Sequence, residues 1–382
     1  MIKIGYVSPT DPKSQAAWSG TVHTIYNALK RRYEVKPIVI SNHTRVEKIL
    51  VLVSKIKSRL FHTAPYQDNV SKITAKVRSW KLNKAVKNLG EDHIDLLFVP
   101  AGSTYISYSS FDIPVVYLSD ATFHVMIGYY YTAFTKKQKE AGNYIEKRAL
   151  QCADKVIYSS DWAMNDAINF YKINKCKCSM IPFGANLDAP DQIRPKSIEA
   201  KQLINLLFVG VDTERKGLKT AVDTVNELNR NNVTHKFTLT VIGSNANWLQ
   251  GKENIQVLGF LDKNIKKDGK KINAAYVAAD LFILPTTAEA AGIVFAEACM
   301  HGLPVLTYST GGVPTYVRNG VNGFTLPLES EGFAAKVEQL INNPSEYKTL
   351  SVNARQLYER TFNWNVWLED TAKVIDNLVQ EF

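Results

Sequence analysis

Short apolar runs alternate with longer amphipathic runs along almost the whole chain. In the first half, strands are predicted at 2–8, 35–40, 96–99, 115–118 and 155–158. Such short, mostly apolar runs are typical of parallel sheets that are buried on both faces. The amphipathic segments between them would supply the covering helices. The pattern therefore predicts an α/β fold.

A polar, helix-breaking stretch at 181–192, with two prolines and a glycine, interrupts this alternation. Beyond it, strands are predicted at 205–209, 236–242, 255–258, 281–284 and 305–308, with helices at 216–229 and 290–300. We therefore expect two Rossmann-like domains, residues 1–187 and 188–365, that face each other across a cleft. Ligands of such sheets bind outside the carboxyl ends of the strands.

Composition agrees with a two-domain globular protein. The 382 residues are 45% hydrophobic, and no apolar run reaches the roughly 18 residues of a membrane-spanning helix. The chain begins directly with a predicted strand, so no signal peptide is expected. The four cysteines contain only one C-x-C pair, and we interpret them as reduced thiols of a cytoplasmic protein.

The net charge of +10 is concentrated in one region. Residues 41–90 carry eleven basic and two acidic side chains, and apolar residues recur at helical spacing in 46–61. Basic residues within 45–87 predict contact with an anionic membrane surface, so that the protein would lie peripherally on its inner face. The alternative is a core-facing helix with a solvated basic face. Nucleic acid is not expected, because no recognition motif accompanies the charge.

Several motifs are absent. The chain contains neither G-x-G-x-x-G nor G-x-x-x-x-G-K-[ST], which argues against ordinary NAD and P-loop chemistry. It also lacks an Asp-x-Asp pair and a His/Cys cluster with zinc spacing, so neither a metal nor another cofactor is expected. A bound diphosphate would therefore have to be neutralised by cationic side chains and helix ends.

The segment 284–298 is the strongest candidate for such a site. A helix predicted to begin near Ala290 would present the amides of Ala291, Gly292 and Ile293 to phosphate. On a continuous helix, Glu289 and Glu297 would be separated by about 12 Å of rise and could flank a diphosphate. The alternative is that both glutamates merely decorate a solvated helix.

Two further loops follow predicted strands. Arg215 and Lys216, in the segment 208–218 that contains Gly210, could neutralise a diphosphate without a metal, although an exposed basic turn is the simpler interpretation. The loop at 17–21 places Gly20 where a tight turn could face phosphates. After another strand, Asp120 could accept a proton from a hydroxyl, or it could cap the following helix.

These segments together resemble one family. The run 284–298 resembles the Glu-x7-Glu signature of retaining glycosyltransferases of the GT-B fold, particularly family four. The segments 208–218 and 17–21, and shorter motifs at 119–123, 158–163, 182–186, 241–243, 258–261 and 310–314, extend the resemblance over nearly the whole chain. The chain departs from the family where Val211 replaces a frequent Arg and Ala291 replaces a usual aromatic residue.

The resemblance implies a metal-independent hexosyltransferase with a nucleotide-diphosphate-sugar donor. UDP is the commonest nucleotide of the family, and GDP comes second. The acceptor would be a hydroxyl of a glycan, lipid-linked or cell-envelope molecule, including acidic polymers of the teichoic or capsular type. Residues 1–187 would bind the acceptor and 188–365 the donor, and the helix 366–382 would pack back on the first domain. The alternatives are a nucleotide-sugar epimerase of the same fold and a catalytically silent binding subunit.

The resemblance also implies roles for individual residues. Glu289 would contact the donor sugar, Glu297 the ribose, and Lys216 with Arg215 the diphosphate. Asp120 stands at or next to a position where many relatives carry a His that points at donor and acceptor. The remaining donor-site residues would be Gly20, Gly210, Gly243, Leu258, Phe260, Ala291, Gly292, Ile293 and Val294.

Overall fold

The computed structural model describes residues 1–14, 17–42, 45–61, 66–89, 93–189 and 195–382. These residues form two compact units. The first comprises Met1–Ile181 together with Leu368–Phe382, and the second comprises Pro182–Trp367. The boundary at Ile181 lies slightly before the predicted one at 187.

The first unit contains a six-stranded parallel sheet in the order β2-β1-β3-β4-β5-β6. Its strands are β1 (Lys3–Ser8), β2 (Glu34–Val39), β3 (Leu96–Pro100), β4 (Val115–Ser119), β5 (Lys155–Tyr158) and β6 (Cys178–Met180). Its helices are α1 (Thr21–Lys30), α2 (Arg45–Phe61), α3 (Lys72–Lys87), α4 (Ser103–Ile106), α5 (Phe123–Met126), α6 (Lys136–Cys152) and α7 (Asp161–Asn169).

The second unit contains another six-stranded parallel sheet, in the order β12-β11-β10-β7-β8-β9. Its strands are β7 (Leu203–Val209), β8 (Lys236–Ile242), β9 (Ile255–Gly259), β10 (Leu281–Leu284), β11 (Val305–Tyr308) and β12 (Gly323–Leu326). The helices that follow are α8 (Leu218–Asn231), α9 (Lys266–Ala278), α10 (Ile293–Met300), α11 (Val313–Tyr316), α12 (Phe333–Asn342), α13 (Pro344–Arg360) and α14 (Trp364–Glu381).

The prediction of two Rossmann-like α/β halves is confirmed. The central strands β3, β4 and β10 are buried along their whole length, as parallel strands covered on both faces must be. The last helix, α14, begins in the second unit and belongs to the first from Leu368 onward. There Asp376 accepts hydrogen bonds from the Arg32 guanidinium and the Tyr33 hydroxyl, each at 2.7 Å.

Helix α2 differs in the exposure of its apolar side chains from an amphipathic helix that packs on a hydrophobic core. Its apolar residues Ile49, Leu52, Val53 and Ile56 are between 41% and 60% exposed. Glu47 is the one buried side chain among those described on this helix, and it pairs with the Arg78 guanidinium at 2.7 Å. For the described side chains, the interpretation of 46–61 as a core-facing helix is therefore wrong, because Ile49, Leu52, Val53 and Ile56 are left exposed. No helix in the described ranges is long and apolar enough to cross a membrane.

Candidate functional site

The two central strands of the second sheet, β7 and β10, are neighbours although they are far apart in sequence. From β7 the chain continues to β8 on one side, and from β10 it continues to β11 on the other. The strand order therefore reverses between β7 and β10. Doubly wound sheets bind ligands in the crevice that this reversal opens at the carboxyl ends of the strands.

The loop after β7 is held in shape by Asp212. Its backbone carbonyl accepts from the Lys216 amide at 2.9 Å, and its carboxylate accepts from the Arg215 guanidinium at 3.1 Å. Burial alone would raise the pKa of the Asp212 carboxyl, but its hydrogen bonds with Arg215 outweigh this effect and lower the pKa. Arg215 is thus fixed as part of the loop.

The loop after β10 is attached to this loop by one backbone hydrogen bond and one from a side chain. The Arg215 carbonyl accepts from the Thr287 amide at 2.9 Å, and the Arg215 guanidinium donates to the Ala288 carbonyl at 2.7 Å. Gly217 has a φ of 72°, and a Cβ at this position would lie 2.1 Å from the Pro285 carbonyl oxygen. Only glycine permits so close an approach of the two loops.

Lys216 and Glu289 form an ion pair at this point. The Lys216 ammonium donates to Oε2 of Glu289, and each side chain is only 12% exposed. The two residues are far apart in sequence, and each follows one of the two strands at which the sheet order reverses. The structure therefore brings together the two residues that the resemblance assigns to diphosphate and donor sugar.

Helix α10 begins at Ile293, later than the predicted start near Ala290. Gly292 precedes it in the left-handed region with a φ of 75°, and Glu289 lies on the loop before it. The separation calculated for a continuous helix from Glu289 to Glu297 is therefore wrong. The Glu289 carbonyl accepts from the Gly312 amide at 2.9 Å, which joins this loop to the segment after β11.

Glu297 lies on α10 and is fully buried. Its Oε1 accepts from the Lys263 ammonium, and its Oε2 accepts from the Tyr276 hydroxyl at 3.1 Å. Lys263 is partly exposed and lies between β9 and α9. Lys263 was not predicted from the sequence, because nothing in a lysine-rich stretch distinguishes it from its neighbours.

Tyr276 is held between two rings. It stacks on Phe282 with centroids 5.8 Å apart and on His301 with centroids 4.8 Å apart. Burial, followed by the Glu297 charge, raises the pKa of Tyr276 well above its usual value, so its hydroxyl remains a hydrogen-bond donor. Burial lowers the pKa of His301 to about 4, so this ring is neutral near pH 7.

The residues expected to border the base also lie at carboxyl ends of strands. Gly243 follows β8 with a φ of 97°, and its amide donates to the Gly259 carbonyl at 2.8 Å. A Cβ on Gly243 would lie 2.5 Å from the carbonyl oxygen of Gly210, so the ends of β7 and β8 approach closely. Leu258 belongs to β9, and Phe260 follows it with its side chain exposed.

Gly20 and Asp120 belong to the first unit. Gly20 precedes α1 with a φ of 85°, and Trp18 in the same turn donates from Nε1 to Oδ2 of Asp120 at 3.1 Å. This bond joins the segment after β1 to the segment after β4. Thr122 caps α5 by accepting from the Val125 amide at 3.4 Å, so the helix-cap interpretation of Asp120 is wrong.

In the parts of the chain that the structure describes, no three His, Cys, Asp or Glu side chains are grouped so that they could hold a metal ion. Among the described residues, Lys216, Arg215 and the amino end of α10 supply positive charge near the strand reversal. An anionic ligand at this place could contact these cations and the backbone amides beside them.

Known families match both halves of the chain. Residues 21–189 match the family Glycosyltransferase Family 4, and residues 190–357 match the family Glycosyl transferases group 1. An uncharacterized 41.2 kDa protein in the cps region of Klebsiella pneumoniae is 25% identical over 218 residues, which cover 55% of this chain and 57% of that protein. Amylovoran biosynthesis glycosyltransferase AmsK of Erwinia amylovora is 24% identical over 54% of this chain and 51% of its own.

A glycogen synthase of Mycobacterium tuberculosis is 28% identical over 44% of this chain and 41% of its own. The chain thus spans about half the length of these relatives. Among solved structures, a Rickettsia africae glycosyltransferase aligns with a TM-score of 0.67 at 16% identity over 100% of this chain and 99% of its own. The lipopolysaccharide outer core galactosyltransferase WaaB aligns with a TM-score of 0.68 at 15% identity, over 98% of this chain and 99% of the WaaB chain.

The structural neighbours establish the fold, and the family matches extend over residues 21–357. The chain therefore belongs to glycosyltransferase family four, whose members have the GT-B fold.

Proposed function

We propose that this protein is a retaining, metal-independent glycosyltransferase that uses a nucleotide-diphosphate sugar. The observation that carries the proposal is the Lys216–Glu289 ion pair at the strand reversal of the second sheet. A cation and a carboxylate held in contact there would suit a ligand that joins a diphosphate to a sugar. Residues of the second unit would bind the donor, and Asp120 of the first unit is our candidate for contact with the acceptor.

The transfer would exchange one bond at the anomeric carbon for another. The bond from this carbon to the diphosphate oxygen breaks, and a bond to the acceptor oxygen forms on the same face. The proton of the acceptor hydroxyl goes to the departing diphosphate. Lys216, Arg215 and the amides at the amino end of α10 would stabilise the charge that develops on this leaving group.

Glu289 would orient the donor by accepting from hydroxyl groups of the sugar. Its carboxylate has about four acceptor positions, and Lys216 occupies one of them in the structure. Gly292 lets the α10 amides approach the diphosphate closely, because its backbone is in the left-handed region. These contacts would place the anomeric carbon beside Lys216, the cation that would stabilise the negative charge on the departing diphosphate.

UDP-sugars are the donors that we propose first, and GDP-sugars second. Structural neighbours solved in complex with ligands include Anabaena HepE with UDP and glucose and the pneumococcal O-GlcNAc transferase GtfA with UDP and GlcNAc. For the acceptor we propose a hydroxyl of a glycan, lipid-linked or cell-envelope molecule, in keeping with the amylovoran and lipopolysaccharide relatives.

The experiment that tests this proposal measures nucleotide release from UDP-, GDP- and ADP-sugars in the presence of a chelator. Release from one donor, together with a new glycosidic product, supports the transferase. Conversion of the sugar without nucleotide release would identify an epimerase. Nucleotide binding without any turnover, even with cell-envelope extract as acceptor, would identify a silent binding subunit and contradict the proposal.

Lys263 gives a prediction about ribose recognition. Replacing it with methionine leaves the buried Glu297 carboxylate without its cation, so we expect this carboxylate to bind ribose hydroxyls less well. Calorimetry should show the preference for UDP over 2′-deoxy-UDP falling about 10-fold, the scale of one hydrogen bond to a charged group. Lys263→Arg should restore the preference. An unchanged preference, with only a lower melting temperature, would mean that the pair is merely structural.

Helix α2 supports contact with a membrane, and we infer that it lies on an anionic lipid surface. At 100° per residue, its exposed residues Ile49, Leu52, Val53 and Ile56 fall within about 100° of the helix circumference. Lys48, Lys55 and Arg59 are exposed in the adjacent band. An apolar stripe flanked by basic residues is typical of helices that lie in the membrane interface. A second copy of the chain would bring the same positive charge and is disfavoured.

This inference predicts that Leu52→Ser/Ile56→Ser weakens binding to phosphatidylglycerol vesicles at least about 10-fold, because each apolar side chain buried in lipid contributes about 1.5 kcal/mol or more. Co-sedimentation measures the effect. The matched control is Val233→Ser/Val277→Ser, which changes two exposed valines of the second unit and should leave binding intact. Equal binding by wild type and the α2 variant would contradict the inference.

A further inference from the structure

Three cations of the first unit surround two tyrosine rings on the surface of α3 and α6. The Lys72 ammonium lies 4.2 Å from the centre of the Tyr144 ring, and the Lys76 ammonium lies 5.5 Å from that of Tyr108. The Arg148 guanidinium lies 5.0 Å from the Tyr108 ring and 6.0 Å from the Tyr144 ring. The two ring centres are 6.4 Å apart, so all three cations lie around one pair of rings.

The helices explain this convergence. Lys72 and Lys76 are four residues apart on α3, and Tyr144 and Arg148 are four residues apart on α6, so each pair occupies one face of its helix. Tyr108 follows the short helix α4. Arg148 is fixed by a hydrogen bond from its Nε to the Ser107 carbonyl at 2.6 Å. The guanidinium is therefore held in place before any ligand arrives.

The described carboxylates do not neutralise the positive charge of this cluster. In the described ranges, no carboxylate lies within ion-pair distance of Lys72, Lys76 or Arg148. Like charges four residues apart on a helix repel each other. The tyrosine faces offset part of this repulsion, because their quadrupole attracts cations. An anion bound among the three cations would relieve the rest.

We propose that Lys72, Lys76 and Arg148, arranged on the rings of Tyr108 and Tyr144, bind a phosphate group. A guanidinium presents several N–H donors in a fixed geometry that matches phosphate, and ammonium groups add point charges around it. Lys72 and Lys76 are exposed and Tyr144 is 41% exposed, so a ligand can reach them. The phosphate belongs either to a soluble phosphorylated molecule or to a lipid headgroup.

This phosphate site belongs to a different unit from the candidate donor site. Its residues belong to the first unit, whereas Lys216 and Glu289 belong to the second. The proposal therefore stands on its own geometry and remains testable even if the protein transfers no sugar. It also differs from the inference about α2, because none of its five side chains lies on that helix.

The test compares two charge-matched double variants of α3. Lys72→Gln/Lys76→Gln removes two cations of the cluster, whereas Lys84→Gln/Lys87→Gln removes two exposed cations elsewhere on the same helix. Calorimetric titration with glycerol 1-phosphate should show affinity falling at least about 10-fold in the first variant, and less than about 2-fold in the second. Any phosphate bound near Lys216 contributes equally to all three proteins, so the difference isolates the cluster.

Arg148→Gln should lose affinity as the first variant does, and thermal melting checks that each variant is folded. Equal losses in the two double variants would mean that diffuse positive charge attracts the anion, and they would overturn the proposal. The proposal would also be overturned if the wild type did not bind phosphate. Vesicles that carry phosphatidic acid distinguish the source. If the wild type binds these vesicles more tightly than glycerol 1-phosphate, and Lys72→Gln/Lys76→Gln loses this difference, the ligand is a lipid headgroup. If the wild type binds both with equal affinity, the ligand is a soluble phosphorylated molecule.

Discussion

Replacing Lys216 with methionine should lower the rate of nucleotide release from the donor about 10²- to 10³-fold, the usual loss when one group that stabilises developing charge is removed. Methionine keeps most of the volume of the side chain but removes the ammonium that contacts Glu289. The rate is measured as nucleotide released under saturating donor. We expect kcat to fall more than donor affinity, because the leaving charge is largest in the transition state.

The control for this prediction lies one turn away on the same segment. Lys219 is 83% exposed and pairs with Asp223 at 2.6 Å, so Lys219→Met removes the same charge outside the site and should leave the rate within about 2-fold. Glu289→Gln should impair the reaction as Lys216→Met does, and the double variant should lose less than the two single effects combined. A Lys216→Met protein with a near-normal rate would exclude the assigned role.

Replacing Arg78 with methionine should lower the free energy of unfolding of the first unit by about 3–5 kcal/mol. The Arg78 guanidinium donates to Glu47 at 2.7 Å, to Thr104 at 3.0 Å and to Asp68 at 2.7 Å. Glu47 is buried, so its carboxylate would lose the Arg78 cation in a poorly solvated place. Denaturant unfolding followed by circular dichroism measures the effect.

The double variant Glu47→Met/Arg78→Met separates charge from packing. Removing both partners leaves no buried charge, so most of the lost stability should return. Since Glu47 is the buried residue among the described side chains of α2, the single variant should also detach the first turn of this helix. If the single and double variants are equally unstable, the loss comes from packing, and our account of the ion pair is incorrect.

The hydrophobic pattern predicted most of the fold but missed two strands. All the strands that it located are present with ends within one residue of the prediction, apart from β7, which begins two residues earlier. Strand β6 is only three residues long and half-buried, so no apolar run marks it. Strand β12 consists of four residues and begins with a glycine, which is uncommon inside strands. Both lie at sheet edges, where fewer residues of a strand need to be apolar because less of the strand is buried.

The candidate site was predictable as separate segments but not as an arrangement. Sequence motifs located Lys216 and Glu289, but their contact depends on β7 and β10 being neighbours, which local patterns do not specify. The helix start was placed too early because a left-handed Gly292 delays α10. Lys263 was missed because its partner Glu297 lies far along the chain.

Hydrogen–deuterium exchange with and without UDP tests the central claim most directly, because it locates the bound nucleotide. The claim is that the nucleotide binds where the strand order of the second sheet reverses. We predict slower amide exchange in 210–217 and 286–294 when UDP is added, smaller decreases at Gly243 and 258–260, which would border the base, and little change elsewhere in the sheet. Unchanged exchange in both segments under saturating UDP, or protection confined to other parts of the chain, would contradict the assignment of Lys216 and Glu289.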